Sequence, residues 1–338
     1  MRCILLLVLG LVFVWHSQLV TARRPCTATS NTTIVHDALA EQARLGPRAA
    51  SALRAGLAQP WPQLVRNGQQ LRVIRYCYAT KLYRDYLHCS KFNPALKLWA
   101  DKLGHPASAQ SGHAVAWEEA NDGGAPGKRK RRYCYSTYEH GKGGTWNKNV
   151  PIDTLAIFLD PTFDGARATT GYDAASTDEG RHQMVLGVDS DPVEIAHELG
   201  HVLGMSHEHI RSDRDAHVLY TCTSVLGYAD ALSRAMATES LSAEAAHQRL
   251  CDDRAFAQKY DFAGSQFTKN PHGRVHDEPG GFDAKSIMLY DSDVFAGEGA
   301  PLVLLGGGRI ERNVEPSVGD VAWVKLWYPW VGGGPSGS

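Results

Sequence analysis

The chain has 338 residues, 43% of them hydrophobic, and its 35 basic and 36 acidic side chains leave a formal net charge of -1. That balance excludes a general electrostatic attraction to nucleic acid or to an anionic membrane. The length supports a substantial core and suits one enzyme domain with an N-terminal extension better than two equal domains.

Arg2 precedes an apolar run from Ile4 to Trp15 that is too short to span a bilayer, and Val20-Thr21-Ala22 has the small-residue pattern of a signal-peptidase site. Residues 1–22 therefore read as a secretory signal, and the mature protein as secreted and extracellular. An uncleaved anchor is the weaker reading, because no second long apolar run follows. Cys3 would leave with the signal, so Cys26, Cys77, Cys89, Cys134, Cys222 and Cys251 remain, an even number suited to an oxidising destination and open to fifteen pairings. Asn31-Thr32-Thr33 is a glycosylation sequon. Residues 23–68 are rich in Ala and Arg, with a helical pattern between Ile34 and Ala58, and read as a propeptide or N-terminal extension before a main domain over 69–330.

Within that domain Leu71 to Ala79 reads as a strand. Asn93-Pro94 starts a helix whose Leu96, Trp99, Ala100 and Leu103 fall at i, i+3, i+4 and i+7. His113 to Trp117, Ile152 to Leu159 and Gln183 to Val188 read as further strands. The basic run Lys128-Arg129-Lys130-Arg131-Arg132 invites a processing site, a nucleic-acid patch or a solvated loop. Five basic residues without interleaved aromatics are a weak nucleic-acid footprint. Cleavage there as an activating removal would discard the strand at Leu71 and the helix at Asn93, and residues 133–196 hold no replacement for that helix. An exposed loop inside the domain, open to nicking, is the preferred reading.

Asp191 is placed to cap a helix, with Pro192 at its first position and Glu194 three beyond the cap, and Gly204 is placed to end it. Ile195, Leu199 and Val202 bury one stripe and leave His197 and His201 on roughly the opposite side. Those histidines are four apart and can clamp one ion; the turn at Gly204 brings His207 back as a third ligand. Glu198 beside them suits a general base acting on water at the metal. A chance match to six specified positions over a chain of this length is on the order of 10⁻⁵ at average residue usage. The reading is one Zn²⁺ per chain.

The tail that follows, His207-Glu208-His209-Ile210-Arg211-Ser212-Asp213-Arg214-Asp215, and later Ser286-Ile287-Met288-Leu289-Tyr290, resemble the extended signature and the Met-turn of the astacin family of metzincin zinc peptidases. The resemblance implies an α+β, two-lobed fold: an N-terminal lobe with a twisted sheet and two long helices, and a mostly irregular C-terminal lobe with the Met-turn and a final helix. It also implies that Tyr290 is a switchable zinc ligand that hydrogen-bonds the oxyanion, and that Glu208 helps tie the maturing N-terminal region to the site. The chain departs from the family at Met205, where Phe is usual, at His209, near a usual Gln, and at Leu289, where His is usual. The family's Phe-x-Gly-Asp propeptide switch is not found, and Phe163-Asp164-Gly165 is not that motif.

Between Cys222 and Cys251 lies an alanine-rich, helical insertion that a bridge between the two cysteines would staple. Ser317 caps a last helix in which Val321, Val324 and Tyr328 share a face, and residues 331–338 read as a Gly-rich polar tail. The expected function is hydrolysis of peptide bonds in protein or peptide substrates by a secreted zinc endopeptidase, with Glu198 and Tyr290 catalytic and His197, His201 and His207 on the metal. No nucleic-acid or membrane partner is expected after signal removal. The rivals are a secreted zinc-containing binding protein that kept the fold without catalysis, and a zinc hydrolase acting on a non-peptide bond.

Overall fold

The computed structural model describes residues 59–125, 128–269 and 281–332. The expected signal, the extension as far as 58, the sequon at Asn31, Cys26 and the tail from 333 lie outside the described residues. Asn67 and Gly68 both take positive φ, 51° and 77°, which is what a two-residue turn matched to strand twist requires. They join β1 (Gln63–Arg66) to β2 (Gln69–Tyr78) as an antiparallel hairpin. Trp61, just ahead of it, is 2% exposed, so the folded domain begins earlier than residue 69.

β2 is the sheet's hub. Its Arg72–Tyr76 stretch pairs in parallel with β3 (Val115–Glu119). The small hairpin of β4 (Tyr135–Glu139) and β5 (Gly143–Trp146) follows, tied to β2 by the Cys77–Cys134 disulfide. The end of β2 pairs in parallel with β6 (Leu155–Leu159), whose five residues are all buried, as a strand covered on both faces demands. An antiparallel strand, β7 (Ala166–Ala168), finishes the sheet against β8 (Gln183–Leu186), itself parallel to β6.

Thr80, accepting from the Tyr83 amide at 3.2 Å, caps α1 (Lys81–Leu87). A wider turn over His88–Phe92 then runs into α2 (Asn93–Leu103). The sequence places the helix start at Asn93-Pro94; the structure starts it a dozen residues sooner. Pro94 has no amide hydrogen to donate, and the wider turn immediately before it lets the chain stay helical past that gap. α2 packs on α3 (Pro192–Leu203) through buried Ala95, Trp99 and Leu103, and Trp99 Nε1 donates to Ala196 O at 2.8 Å.

The second lobe has its own core of Leu250, Phe256, Phe262 and Phe267. β9 (Val218–Tyr220) pairs with β10 (Leu302–Leu304), and three helices lie between them in sequence: α4 (Tyr228–Glu239), α5 (Ala243–Asp252) and α6 (Arg254–Lys259). The first two of these helices are the expected insertion, and much of the rest of the lobe is turn and irregular chain, as expected. Small buried residues, Ala231, Ala235 and Ala246, let α4 and α5 pack closely, and the expected Cys222–Cys251 bridge staples them. α7 (Val318–Trp327) closes the chain, with Ser317 and Asp320 forming a reciprocal cap. The fold is mixed α+β, and no helix among the described residues is long and apolar enough to cross a membrane.

Candidate active site

α3 carries the site, and both of its ends are held from outside. Asp191 accepts from the Val193 and Glu194 amides at 2.8 and 2.9 Å while Glu194 accepts from the Asp191 amide, so three donors that a helix start leaves open are satisfied. The Arg312 guanidinium clasps the same Asp191 carboxylate at 2.7 and 2.8 Å. At the other end Gly204 stands at φ 103°, a left-handed conformation that stops the helix. The carbonyls stranded there find partners far away in sequence: Val202 O accepts from Trp61 Nε1, Leu203 O from the Tyr328 hydroxyl and His201 O from the Gly171 amide. Ile195, Leu199 and Val202 are at most 1% exposed, so the apolar stripe faces the core as its spacing predicts.

The reversal at Gly204 brings the third imidazole back. His207 Nε2 lies 3.1 Å from His197 Nε2 and 3.0 Å from His201 Nε2. His197 Nδ1 donates to Ile287 O at 2.8 Å and His201 Nδ1 to Met205 O at 2.9 Å. A carbonyl only accepts, so each Nδ1 carries the hydrogen and each Nε2 presents a lone pair to the common point. Burial lowers all three histidines: His197 to about 3, His201 to about 4, and His207 well below its ordinary value. They are thus held neutral near pH 7. Three neutral imidazoles converging in this way fit a tetrahedral ion such as Zn²⁺, with room for a fourth ligand.

Glu198 is 6% exposed, and its Oε2 is buried without a hydrogen-bond partner among the described residues. Burial first, and then the Glu194 charge, push its carboxyl up to about 8, while the Ala168 amide and Arg167 pull the other way. An orphaned carboxylate oxygen beside three converging lone pairs is what a site for an ion and a water molecule leaves behind in the protein.

The floor comes from about eighty residues further along the chain. Met288 is fully buried, and a Cβ built at Gly200 would meet its sulfur at 2.5 Å, so a glycine in α3 lets the turn approach this closely. Buried Asp320 fixes the turn: it accepts from Ser286 Oγ at 2.6 Å and from the Ile287 amide at 2.8 Å, and also from the Ser317 amide at 2.8 Å. Glu208 takes the Asp283 amide at 2.8 Å and lies 3.6 Å from Arg211, a contact at the entrance to that turn. Tyr290 leaves the turn with its ring centroid 4.5 Å from that of His207 and 6.2 Å from that of His197. The structure thus brings His197, His201, His207, Glu198 and Tyr290 together.

Two neighbours escape sequence reasoning. His209 is fully buried, its ring 4.2 Å from Tyr290 and 5.0 Å from His207; Nε2 donates to Gln266 O at 3.0 Å, and Nδ1 has no partner among the described residues. Its departure from the family's usual Gln was the available signal. Arg254, the first residue of α6, buries an Nε that has no partner among the described residues, and its charge acts on His207, His209 and Tyr290. Nothing in the local sequence marks it, because the insertion's fold is what carries it there.

The geometry defines a three-histidine metal centre with an acidic neighbour on an α+β scaffold. Residues 172–243 match the model of Astacin, a peptidase family. That segment is similar to the astacin peptidases and contains the three converging histidines. Over 65 residues the chain is 40% identical to nematocyst expressed protein 6 of Nematostella vectensis, a match spanning 18% of this chain and about a fifth (21%) of that relative. High choriolytic enzyme 1, a hatching-enzyme zinc protease from the medaka Oryzias latipes, aligns with 82% of this chain and 98% of its own at 17% identity and a TM-score of 0.44. Myroilysin aligns with 82% of this chain and 97% of its own at 16% identity and a TM-score of 0.38.

Proposed function

We propose that the protein is a secreted, zinc-dependent endopeptidase. The observation that carries this reading is the buried Oε2 of Glu198, without a partner among the described residues, beside three imidazoles whose Nε2 atoms converge. His197, His201 and His207 would hold the ion. A bound dication supplies Lewis acidity toward a carbonyl and a positive charge that favours the ionised form of Glu198.

In the chain's own chemistry, Glu198 Oε2 takes a proton from the attacking water and passes it to the departing amine, so the carboxylate is regenerated in each turnover. The Tyr290 hydroxyl donates to the oxygen that gains negative charge as the peptide carbonyl becomes tetrahedral. Burial raises the Tyr290 phenol above its ordinary value, so it keeps the proton it must donate. β7 ends the sheet beside Glu198, whose carboxyl accepts from the Ala168 amide, and an extended substrate laid along that strand would present its backbone to the site. A protein that only bound zinc would have no use for a buried carboxyl with one oxygen left without a partner among the described residues.

The test is metal removal. Purified protein should contain one zinc per chain, lose peptide cleavage in phenanthroline and regain it when zinc is returned. Undiminished cleavage by metal-free protein would sink the proposal.

A further inference from the structure

The basic run at 128–132 takes no part in this chemistry. No other stretch of the sequence has more than two consecutive basic residues. Lys128, Arg129, Lys130 and Arg131 are all exposed, while Arg132 is half-buried. The loop that presents them is held at its base, and Arg129 Nε donates to Gly124 O at 3.0 Å within it. Asn121 and Arg131 form an isolated antiparallel bridge, Asp122 accepts from the Gly124 and Lys130 amides at 3.0 Å each, and the Arg132 amide donates to Ala120 O at 2.8 Å. Presenting the Arg131–Arg132 bond to a protease gives up that bridge, the Arg132 amide hydrogen bond, the Arg131 ion pair with Glu119 and the Arg132 guanidinium contact with Asn149 O, a local opening of the kind that proteolysis exploits.

What lies on either side of the loop decides the outcome of a cut. The part before it holds β1 to β3, α1 and α2; the part after it holds the remaining sheet and the metal site. The two are joined by the parallel pairing of Tyr76–Tyr78 with Leu155–Ile157, by Trp99 Nε1 on Ala196 O and by Trp61 Nε1 on Val202 O. They are also joined covalently, because Cys134 is bonded to Cys77 in β2, on the far side of the loop.

We infer that this loop is a processing site, cut between Arg131 and Arg132 by a serine endopeptidase with carboxylate-lined pockets for successive basic side chains. The product is a two-chain protein held by Cys77–Cys134 rather than a truncated one. Water is added across one peptide bond, leaving a carboxylate on Arg131 and an ammonium on Arg132, and no oxidant or reductant is involved. The inference stands on the loop and the disulfide and is independent of the peptidase reading of the metal site.

Zinc-loaded full chain, incubated with a catalytic amount of a multibasic-specific serine endopeptidase, should run as one band without reductant and as two after reduction, with a new N-terminus at Arg132. Zinc content and far-UV circular dichroism should be unchanged, and any peptide-cleaving rate should stay within twofold. The double variant Arg131→Gln, Arg132→Gln should fold and stay single-chain. The double variant Cys77→Ser, Cys134→Ser should yield two fragments on denaturing electrophoresis without reductant. Chain recovered from the medium of cells expressing it through their secretory route should already carry the cut. First cleavage at another bond, or single-chain protein in that medium, overturns the inference.

Discussion

Glu198 and Tyr290 differ in what a substitution at each leaves standing. Glu198→Gln keeps the size of the side chain and all three imidazoles but removes the proton acceptor, so the variant should bind zinc as before and lose roughly 10² to 10⁴ in turnover, the usual worth of a positioned base. Zinc analysis beside steady-state kinetics reads both halves; normal turnover would show that Glu198 is not the base. Tyr290→Phe removes one hydroxyl from a ring that is otherwise held by His207 and His209. The ring should therefore stay in place, with KM little altered and kcat reduced roughly 10² to 10³. A changed KM at constant kcat would assign the hydroxyl to ground-state binding, and loss of zinc would make it a structural ligand.

Local chemistry explains why α3 could be read from the sequence so closely. Its start is written in Asp191, Pro192 and Glu194, its end in Gly204, and its buried stripe in Ile195, Leu199 and Val202, all within a few residues of the positions they govern. The ligand set was legible for the same reason, since His197, His201 and His207 lie on one short segment. The β1–β2 hairpin carried an equally local sign, Asn67-Gly68, that the strand reading at Leu71 passed over. Other elements depend on partners distant in sequence. α1 lacks a long apolar period, and only its seat beside the sheet, with Tyr83 and Leu87 buried, selects helix there. His209 packs on Tyr290, and Arg254 adds its charge nearby, through the folding of the second lobe. The helical insertion in that lobe is stapled by Cys222–Cys251, which closes a loop of 29 residues. Replacing both cysteines by serine should lower the unfolding free energy by about 3 to 4 kcal/mol on chain-entropy grounds. Urea unfolding of the zinc-loaded protein checks this, and an unchanged midpoint would mean that the helices around the bridge hold themselves.

The stability of the whole molecule should depend on pH through a histidine outside the metal site. His182 is 1% exposed, packed on Trp61 and Tyr172, with Nε2 accepting from the Asp173 amide at 2.9 Å and Nδ1 facing Asp153 O at 3.2 Å. Burial first, with the Arg181 charge, lowers it from 6.5 to about 4. The unfolded chain therefore binds a proton that the folded chain refuses. The resulting stabilisation is complete above pH 6.5 and is lost as pH falls toward 4, by about 3 kcal/mol in total. His182→Gln keeps an acceptor for the Asp173 amide but does not titrate. With chelator present in both samples, urea unfolding at pH 7 and pH 4 should show the variant losing less stability than the parent by about that amount. Equal losses would remove His182 as the cause.

The Met-turn rests on Asp320, which belongs to the cap of the last helix rather than to the turn itself. During synthesis, N-terminal parts of a chain become available first. The three imidazoles thus leave the ribosome well ahead of the carboxylate that fixes the floor beneath them. A nascent chain that has exposed the helix bearing His197 and His201 still lacks the carboxylate that holds Ser286 and Ile287. The order of residues along the chain thus places the group that fixes this turn more than a hundred residues behind the histidines the turn supports.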